Sequence, residues 1–309
     1  MKSVAKAHAN IALIKYWGKE DEQLFLPSTS SLSLTLDKLY TITSVSESDR
    51  DVFVLNRQIQ NEKETQKISR FVDLFRTNNQ SVKIESINYF PTAAGLASSA
   101  SGYSALSVAL NDFFGHHYDV EQLSMLTRRG SGSATRSLFG GFVKWEKGSN
   151  DQSVATPIEK EMDIEMIIVI VNEQQKKKDS RSLMKVTKEQ SRYFESWTQY
   201  NDIDMQEMLT AIENEDIHQI GKIAERNAMM MHATLLAIEE PFFYIEPQSL
   251  EVISLIQELR QQGIVAYYTM DAGPNVKIIT NSQHRPLILE RLSAYQTIVA
   301  QKGPGATLL

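Results

Sequence analysis

The sequence of 309 residues has 42% hydrophobic and 23% charged residues, no cysteine and a formal net charge of −6 at pH 7. This length is enough for two domains or one large one. The lack of cysteine excludes thiol catalysis, disulfides and cysteine-based zinc sites, and the acidic balance argues against a general nucleic-acid binder. The longest apolar run, 166–171, is too short to cross a membrane, and the N-terminus does not resemble a signal peptide, so we expect a cytoplasmic enzyme or binding protein.

The first third of the chain alternates apolar and polar residues in a pattern typical of β-strands. We predict strands over 2–14, 31–37, 40–46 and 51–56, and a helix over 64–76. The first strand leads into Lys15-Tyr16-Trp17-Gly18-Lys19. Lysines beside aromatic residues most commonly form a solvated rim, so a rim without a ligand is the more frequent interpretation of this segment. Two lysines four residues apart after a buried strand can also bind a phosphorylated substrate.

A loop of small residues at 91–102, Pro-Thr-Ala-Ala-Gly-Leu-Ala-Ser-Ser-Ala-Ser-Gly, joins a predicted strand (81–88) to an apolar helical run (100–114). Small side chains let the backbone approach a ligand closely. Ser98 and Ser99 stand where the helix begins, and the unpaired N–H groups and positive dipole end of a helix favour phosphate there. A serine-capped helix without a ligand explains the same residues about as well.

A second glycine-rich segment covers 130–141, between a helix predicted over 120–129 and a strand predicted over 141–146. It is not a dinucleotide-binding fingerprint, because Thr135 stands in place of the third glycine and no strand leads into the segment. Its successive small residues, closed by Arg136, suit an anion-binding nest. A flexible loop is the equally supported alternative.

After a nearly all-apolar strand over 162–172, the chain changes from strand-rich to helix-rich. We place a domain division near the lysine run that follows, which gives domains 1–175 and 176–309. Further on, Asp271-Ala272-Gly273-Pro274-Asn275 consists of standard turn residues, so a purely structural turn is a serious alternative to a functional one. The remaining predicted elements are helices over 182–200, 205–213, 216–236, 248–262 and 286–293, and strands over 264–270, 276–280 and 295–301.

Four of these segments together resemble the diphosphomevalonate decarboxylase family. The loop at 91–102 is similar to the phosphate loop of the wider GHMP kinase superfamily, and the segments 10–19, 131–141 and 270–275 narrow the resemblance to the decarboxylases. The resemblance implies an α+β, two-domain GHMP-kinase-like fold. It also implies a ribosomal-S5-like N-terminal domain that binds ATP, a ferredoxin-like C-terminal domain, and a cleft between them.

The resemblance implies a reaction as well: ATP-dependent decarboxylation of (R)-5-diphosphomevalonate to isopentenyl diphosphate, with ATP and Mg²⁺ required and with phosphorylation of the 3-hydroxyl as the first step. One alternative is a GHMP kinase, such as a mevalonate or phosphomevalonate kinase, which stops at phosphoryl transfer. Another is a non-catalytic protein that binds a phosphorylated metabolite. Neither nucleic acid nor a membrane is an expected partner, and a homodimer is left open.

By resemblance, Asp271 is the acid/base residue facing the 3-hydroxyl, Lys15 neutralises phosphate charge, and Arg136 and Asn10 hold the carboxylate. Mg²⁺ is expected beside Ser98 or Ser99. The counterpart of a first-helix arginine in eukaryotic relatives stays open among Lys63, Lys67 and Arg70. The implied substrate-binding positions are Tyr16, Trp17, Gly18, Lys19, Ser131, Gly132, Ser133, Ala134, Thr135, Arg136, Ser180, Arg181 and Ala272. The implied ATP-binding positions are Pro91, Ala94, Gly95, Leu96, Ala97, Ser98 and Ser99.

Overall fold

The computed structural model describes residues 2–90, 98–172 and 178–309, which form an α+β fold with two main sheets. The first half contains β1 (Lys2–Ile14), β2 (Lys19–Asp21), β3 (Leu26–Pro27), β4 (Ser31–Glu47), β5 (Val52–Leu55), β6 (Gln58–Ile59), α1 (Glu62–Val72), β7 (Val82–Asn88), α2 (Ser98–Phe113), α3 (Val120–Gly130), a 3-10 helix (Gly132–Leu138), β8 (Phe142–Trp145) and β9 (Ala155–Ile158). The second half contains β10 (Glu165–Ile170), α4 (Ser180–Gln190), α5 (Phe194–Glu213), α6 (Ile217–Leu236), α7 (Pro247–Gln261), β11 (Tyr267–Thr269), β12 (Val276–Thr280), α8 (Arg285–Arg291), β13 (Gln296–Gln301) and β14 (Thr307–Leu308).

The first sheet has the strand order β14-β1-β4-β7-β5-β6. In addition, β8 pairs with β4 on one side and with β9 on the other. β4 is one strand where we predicted two, over 31–37 and 40–46, so the predicted break is wrong. The pairing with β1 shifts register there, since His8 faces Tyr40 whereas Asn10 faces Thr35. A bulge therefore interrupts the apolar alternation without ending the strand.

Helix α2 crosses the first sheet over β1 and β4. Its buried positions include Ala105, Leu106, Ala109 and Leu110, and the small side chains among them allow the helix to lie close to the strands. The helix begins at Ser98, as the loop composition predicted within two residues. Its N-terminus consequently opens toward the region where the two halves of the chain meet.

The helices of the second half differ from the prediction in one respect. A helix over 182–200 and a separate one over 205–213 were expected, but α4 ends at Gln190 and α5 runs without interruption from Phe194 to Glu213. The apolar period fails near Asn201 and Asp204 because both are buried polar residues. Both side chains point into the protein and form hydrogen bonds there. The interruption of the apolar period therefore marks a buried polar face of the helix and not a loop.

The second sheet has the order β11-β12-β10-β13 and packs against the first through a shared core. That core combines Ile11 and Leu34 of the first sheet with Met166 and Ile168 of the second. β10 pairs with β12 and β13. It therefore belongs to the second sheet, although it lies before residue 175, where we place the domain division. That division stays a prediction. Within the described ranges, no helix has the length and apolar character needed to cross a membrane. The cytoplasmic location and the homodimer stay predictions.

Candidate active site

A solvent-open cavity of about 870 Å³ lies where the end of β1, the 3-10 helix, the start of α4 and the turn before β12 meet. Its charged lining consists of Lys15, Lys19, Arg136, Arg181 and Asp271, so cations outnumber the carboxylate. A cavity of this kind favours a ligand that carries several negative charges. The other predicted site residues that line it are Asn10, Tyr16, Trp17, Ser99, Ser131, Gly132, Ser133, Ser180 and Ala272.

The carboxylate of Asp271 lies between two lysines. The Nζ of Lys15 is 2.7 Å from its Oδ1, and the Nζ of Lys277 is 3.3 Å from its Oδ2. Burial alone would raise the pKa of Asp271, but the two ammonium groups hold it well below its usual range. Burial lowers the pKa of Lys15 to about 8, with Asp271 opposing the decrease and Lys277 adding to it. At neutral pH the site therefore holds a carboxylate and a protonated amine that is close to its titration point.

The backbone of Lys15 is held by helices of the second half. Its N–H donates to the side-chain oxygen of Asn227 at 2.8 Å, and its carbonyl accepts from the Asn201 amide at 3.3 Å. Asn227 in turn donates to the buried carboxylate of Asp204 at 2.9 Å, which also accepts from Arg226. These contacts fix the end of β1 against α5 and α6, so the position of the Lys15 ammonium depends on how the two halves pack.

Arg136 lies on the 3-10 helix and is held from behind by hydroxyl and amide oxygens. Its Nε donates to Ser33 at 2.9 Å, one terminal nitrogen donates to Ser31, and the other donates to Asn10 at 3.2 Å. A guanidinium has five N–H donors, so two remain for a ligand once these bonds are counted. Burial lowers the pKa of Arg136 to about 10, which leaves the group charged at neutral pH.

Asn10 orients Arg136. Its side-chain oxygen accepts from the arginine, and its amide donates to the Ser133 carbonyl at 2.9 Å and to the Ser137 hydroxyl at 2.8 Å. Both amide hydrogens are therefore engaged within the protein. In this geometry Asn10 holds Arg136 in place, and the prediction that both residues hold a substrate carboxylate stays a prediction.

Hydroxyl groups cover one side of the cavity. Ser131 donates to Ser99 at 3.2 Å and lies 3.3 Å from the Ser133 hydroxyl. The Tyr16 hydroxyl is buried and has no hydrogen-bond partner among the described residues. Burial raises the pKa of Tyr16 above its usual range, so the group stays a neutral donor. At Gly132 an added Cβ would lie 2.7 Å from the Tyr16 ring, which explains why a glycine is needed there.

Two further cations approach the cavity around Phe25. The Nζ of Lys19 lies 3.9 Å from the centre of the Phe25 ring, and the Arg181 guanidinium lies 5.2 Å from it. Arg181 also donates to the Gly130 carbonyl at 2.6 Å. It follows Ser180 in the first turn of α4, where the Asp179 carboxylate caps the helix by accepting from the N–H groups of Arg181 and Ser182. Phe25 has a φ of 56°, an uncommon conformation for a bulky residue, and it orders both cations.

A second cavity of about 630 Å³ adjoins the first at the N-terminus of α2. Ser99 lines both cavities, and Ser98 lines the second. Of the three candidates in the first helix, Lys67 lines this second cavity, and Lys63 and Arg70 are not among its lining residues. The predicted ATP-binding residues Pro91, Ala94, Gly95, Leu96 and Ala97 lie outside the described residues.

Some predicted substrate-binding residues have structural roles instead. Ala134 packs in the core under α2, and the Thr135 hydroxyl donates to the Ser124 carbonyl at 3.1 Å, so neither lines the cavity. Gly18 has a φ of +99° and packs against Phe194, which accounts for the glycine without a ligand. Trp17 reaches the cavity edge, but its indole is buried and donates to Thr187 at 2.9 Å. For Gly18, Ala134 and Thr135, the geometry does not support a substrate contact.

Sequence reasoning missed several residues of this site. The sequence predicts an ordinary strand around Lys277, and the only signal for this residue is a lysine among apolar neighbours in that strand. Asn227 stands in an amphipathic helix, where its sequence neighbours give no sign of the contact with Lys15. Phe25, Met184 and Met231 supply apolar lining and carry no signal of their own.

Comparison with known proteins identifies the family. The chain matches the model of the diphosphomevalonate decarboxylase-like N-terminal domain over residues 7–156 and that of the mevalonate 5-diphosphate decarboxylase C-terminal domain over 166–304. It is 34% identical to the diphosphomevalonate decarboxylase of Candida albicans, over 93% of this chain and 86% of that protein.

Solved structures agree with that match. The mevalonate diphosphate decarboxylase from Staphylococcus aureus has a TM-score of 0.96 and 41% identity, covering 100% of this chain and 98% of that one. A structure described as MDDEF in complex with MVAPP, AMPPCP and magnesium has a TM-score of 0.95 and 43% identity, covering 100% and 99%. The α+β, two-domain GHMP-kinase-like fold implied by the sequence is thus confirmed, and the chain belongs to the diphosphomevalonate decarboxylase family.

Proposed function

We propose that this chain converts (R)-5-diphosphomevalonate and ATP to isopentenyl diphosphate, ADP, phosphate and CO₂. The observation that carries the proposal is the Lys15–Asp271 ion pair, which shares one cavity with Arg136. An acid/base group for a hydroxyl and a cation for a carboxylate are the two requirements of this reaction. Family membership supports the same conclusion.

In the first step the C3 hydroxyl oxygen attacks the γ-phosphorus of ATP, the bond to ADP breaks, and Asp271 takes the hydroxyl proton. Because its pKa is held well below the usual range, Asp271 is a weak base toward a free alcohol. It therefore orients the hydroxyl first and receives the proton late, as the new P–O bond develops. A loose phosphoryl-transfer transition state needs little early deprotonation. Lys15 donates to the same carboxylate and offers positive charge to the incoming phosphoryl group.

In the second step the 3-phosphate leaves with the electrons of its C–O bond, and the C–CO₂⁻ bond supplies the electrons of the new double bond. Phosphorylation makes this possible because phosphate is a far better leaving group than hydroxide. Arg136 holds the carboxylate through its two remaining donors, and Asn10, Ser31 and Ser33 keep the guanidinium plane fixed. Lys15 stabilises the departing phosphate.

The diphosphate of the substrate occupies the hydroxyl-lined side of the cavity. Tyr16 and the serines Ser131 and Ser133 supply neutral donors, whereas Lys19 and Arg181 supply charge. Ser180, the first residue of α4, also lines this cavity. This group of residues binds the part of the substrate that does not react.

ATP lies with its phosphates at the N-terminus of α2 and its nucleoside in the second cavity, because Ser99 connects the two spaces. Lys67 then stands beside the nucleotide rather than beside the substrate. The Ser98 and Ser99 hydroxyls are hard oxygen ligands of the kind that Mg²⁺ takes together with phosphate and water. When bound, the ion would neutralise phosphate charge, and these serines would hold it.

The test is an assay of purified protein with ATP, Mg²⁺ and (R)-5-diphosphomevalonate, in which ADP, CO₂ and isopentenyl diphosphate are all measured. Equal amounts of the three products are expected. Mevalonate and 5-phosphomevalonate serve as controls, because they carry the hydroxyl and the carboxylate but lack the diphosphate. ADP formed without CO₂ would identify a kinase that stops at phosphoryl transfer. If none of the three mevalonate compounds gave ADP, the protein would be a non-catalytic binding protein.

A further inference from the structure

A buried lysine lies behind the reactive ion pair, on strand β12. The Lys277 side chain is 1% exposed, and the other residues of the strand are buried as well. Its register partners are Ile168 on β10 and Thr269 on β11. Its side chain therefore leaves the sheet on the face that carries Ile168 and Ile279. Both isoleucines belong to the core between the two sheets, so an ammonium group occupies a position suited to an apolar side chain.

The contacts of this ammonium group converge on Asp271. Its Nζ donates to the Asn275 carbonyl at 3.1 Å and lies 3.3 Å from the Oδ2 of Asp271. Lys15 holds the other carboxylate oxygen, at 2.7 Å. A buried charge costs several kcal/mol unless it is well paired, and an apolar residue of similar length would avoid that cost. The stability of the sheet alone therefore does not call for a lysine here.

We propose that Lys277 is a positioning residue for phosphoryl transfer, which together with Lys15 fixes both oxygens of Asp271 in front of the substrate hydroxyl. The inference rests on the proposed function. Lys277 is not among the residues that line the cavity, so it acts through Asp271. Holding both oxygens prevents rotation of the carboxylate about its terminal torsion, which is otherwise broad. A misplacement of about 1 Å at such a group can cost about a hundredfold in rate.

Lys277 also affects Lys15, since two ammonium groups on one carboxylate repel each other. The charged and titratable groups around Lys15 are Asp271, Lys277, Arg136 of the 3-10 helix and His232 of α6. Burial lowers the pKa of His232 to about 4, so it is neutral near pH 7. Lys277 and Arg136 both lower the pKa of Lys15. Removing the charge of Lys277 should consequently raise the pKa of Lys15.

The experiment compares Lys277→Met, which removes the charge and the donor, with Lys277→Gln, which keeps a donor. Thr269→Val is the control, because Thr269 is buried and pairs directly with Lys277 on the neighbouring strand, and the substitution does not alter charge. In both Lys277 variants we expect kcat to fall about tenfold to a hundredfold, whereas KM for either substrate changes less than about threefold. The basic limb of the kcat profile should move to higher pH. Loss of packing alone would lower kcat at every pH and leave that limb in place.

A second measurement does not depend on turnover. NMR of protein labelled with ¹⁵N at lysine Nζ follows the titration of Lys15, which is assigned by its loss in Lys15→Met. The Lys15 pKa should be higher in both Lys277 variants than in the wild type and unchanged in Thr269→Val. An unchanged titration, or kcat within about threefold of wild type in folded variants, would overturn the proposal. So would failure of both variants to fold, because Lys277 would then be a stability residue. If the wild type releases no CO₂, the proposed function fails, and the titration still decides the role of Lys277.

Discussion

Replacing Asp271 by Asn tests the central carboxylate and separates a catalytic residue from a turn residue. The turn is closed by the N–H of Gly273, which donates to the Asp271 carbonyl at 2.8 Å, and asparagine keeps that bond. The side-chain oxygens instead face Lys15 and Lys277. The substitution therefore preserves the turn and removes the one carboxylate among the described residues that line the cavity.

Asp271→Asn should affect both activity and stability. Loss of a proton-transfer group lowers kcat by about a hundred- to ten-thousandfold. Breaking a buried ion pair costs about 3–5 kcal/mol, and this is an upper limit here because the Asp271 side chain is 26% exposed. On sequence alone, we would expect the fold to tolerate this near-isosteric change. The structure predicts instead a melting temperature several degrees lower, since two buried ammonium groups lose their counter-ion.

The stability difference should depend on pH in a defined direction. The carboxylate raises the pKa of Lys15, so in the variant this pKa lies below the wild-type value of about 8. Between the two values the folded variant binds fewer protons than the folded wild type. The wild type is therefore more stable than Asp271→Asn by an amount that decreases as the pH rises to about 8. Above that pH the difference between their unfolding free energies stays constant.

The assay combines turnover, measured as both ADP and CO₂, with melting temperature on either side of that pH. Asp202→Asn is the matched control, because Asp202 pairs with Lys147 at 2.6 Å on the surface, where such a pair is worth about 0–1 kcal/mol. The control should melt and turn over like the wild type. A decrease in turnover of less than about tenfold in Asp271→Asn, with unchanged melting, would return Asp271 to the role of a turn residue.

Three further predictions follow from the same contacts. Activity should fall as the pH rises through about 8, because only the protonated Lys15 neutralises phosphate, and a profile that stays level well above this pH would contradict that role. Arg136→Lys should lower CO₂ release about a hundredfold, because lysine lacks the fork that aligns a carboxylate; near-normal release would favour a plain kinase. Ser131→Ala and Ser133→Ala should raise KM for the diphosphorylated substrate with little change in kcat, since they bind its unreacting part; the opposite pattern would place them at the reacting atoms.

Most of the fold could be predicted from local patterns. The period of apolar residues located the α-helices of the described chain, and the alternation located the long strands, because both reflect which face of an element is buried. The 3-10 helix at Gly132–Leu138 lies in the glycine-rich segment, which was predicted as a nest or a loop. The errors fell where tertiary contacts override the local pattern. A bulge around residues 36–39 resembled a strand break, and the buried polar residues Asn201 and Asp204 resembled a helix end. Short strands such as β9 and β14 carry too few residues to show a period.

The site could be predicted only where its residues form compact motifs. Lys15, Arg136 and Asp271 each belong to a short distinctive segment, and the structure brings all three to one cavity. Lys277 and Asn227 stand alone in ordinary elements, and their importance arises from distances that exist only after the two sheets pack. No local pattern encodes the 2.8 Å contact from the Lys15 N–H to Asn227, which is 212 residues away in the sequence.

The way in which Arg136 is held bears on how one cavity could serve both steps. A cation that binds a carboxylate strongly stabilises the ground state and so opposes loss of CO₂, because that charge disappears in the product. Arg136 shares its donors with Ser31, Ser33 and Asn10, which leaves two N–H donors for a ligand and fixes the plane of the guanidinium. We infer that it supplies alignment more than attraction. The driving force of the second step then comes from Lys15, which stabilises the phosphate that leaves.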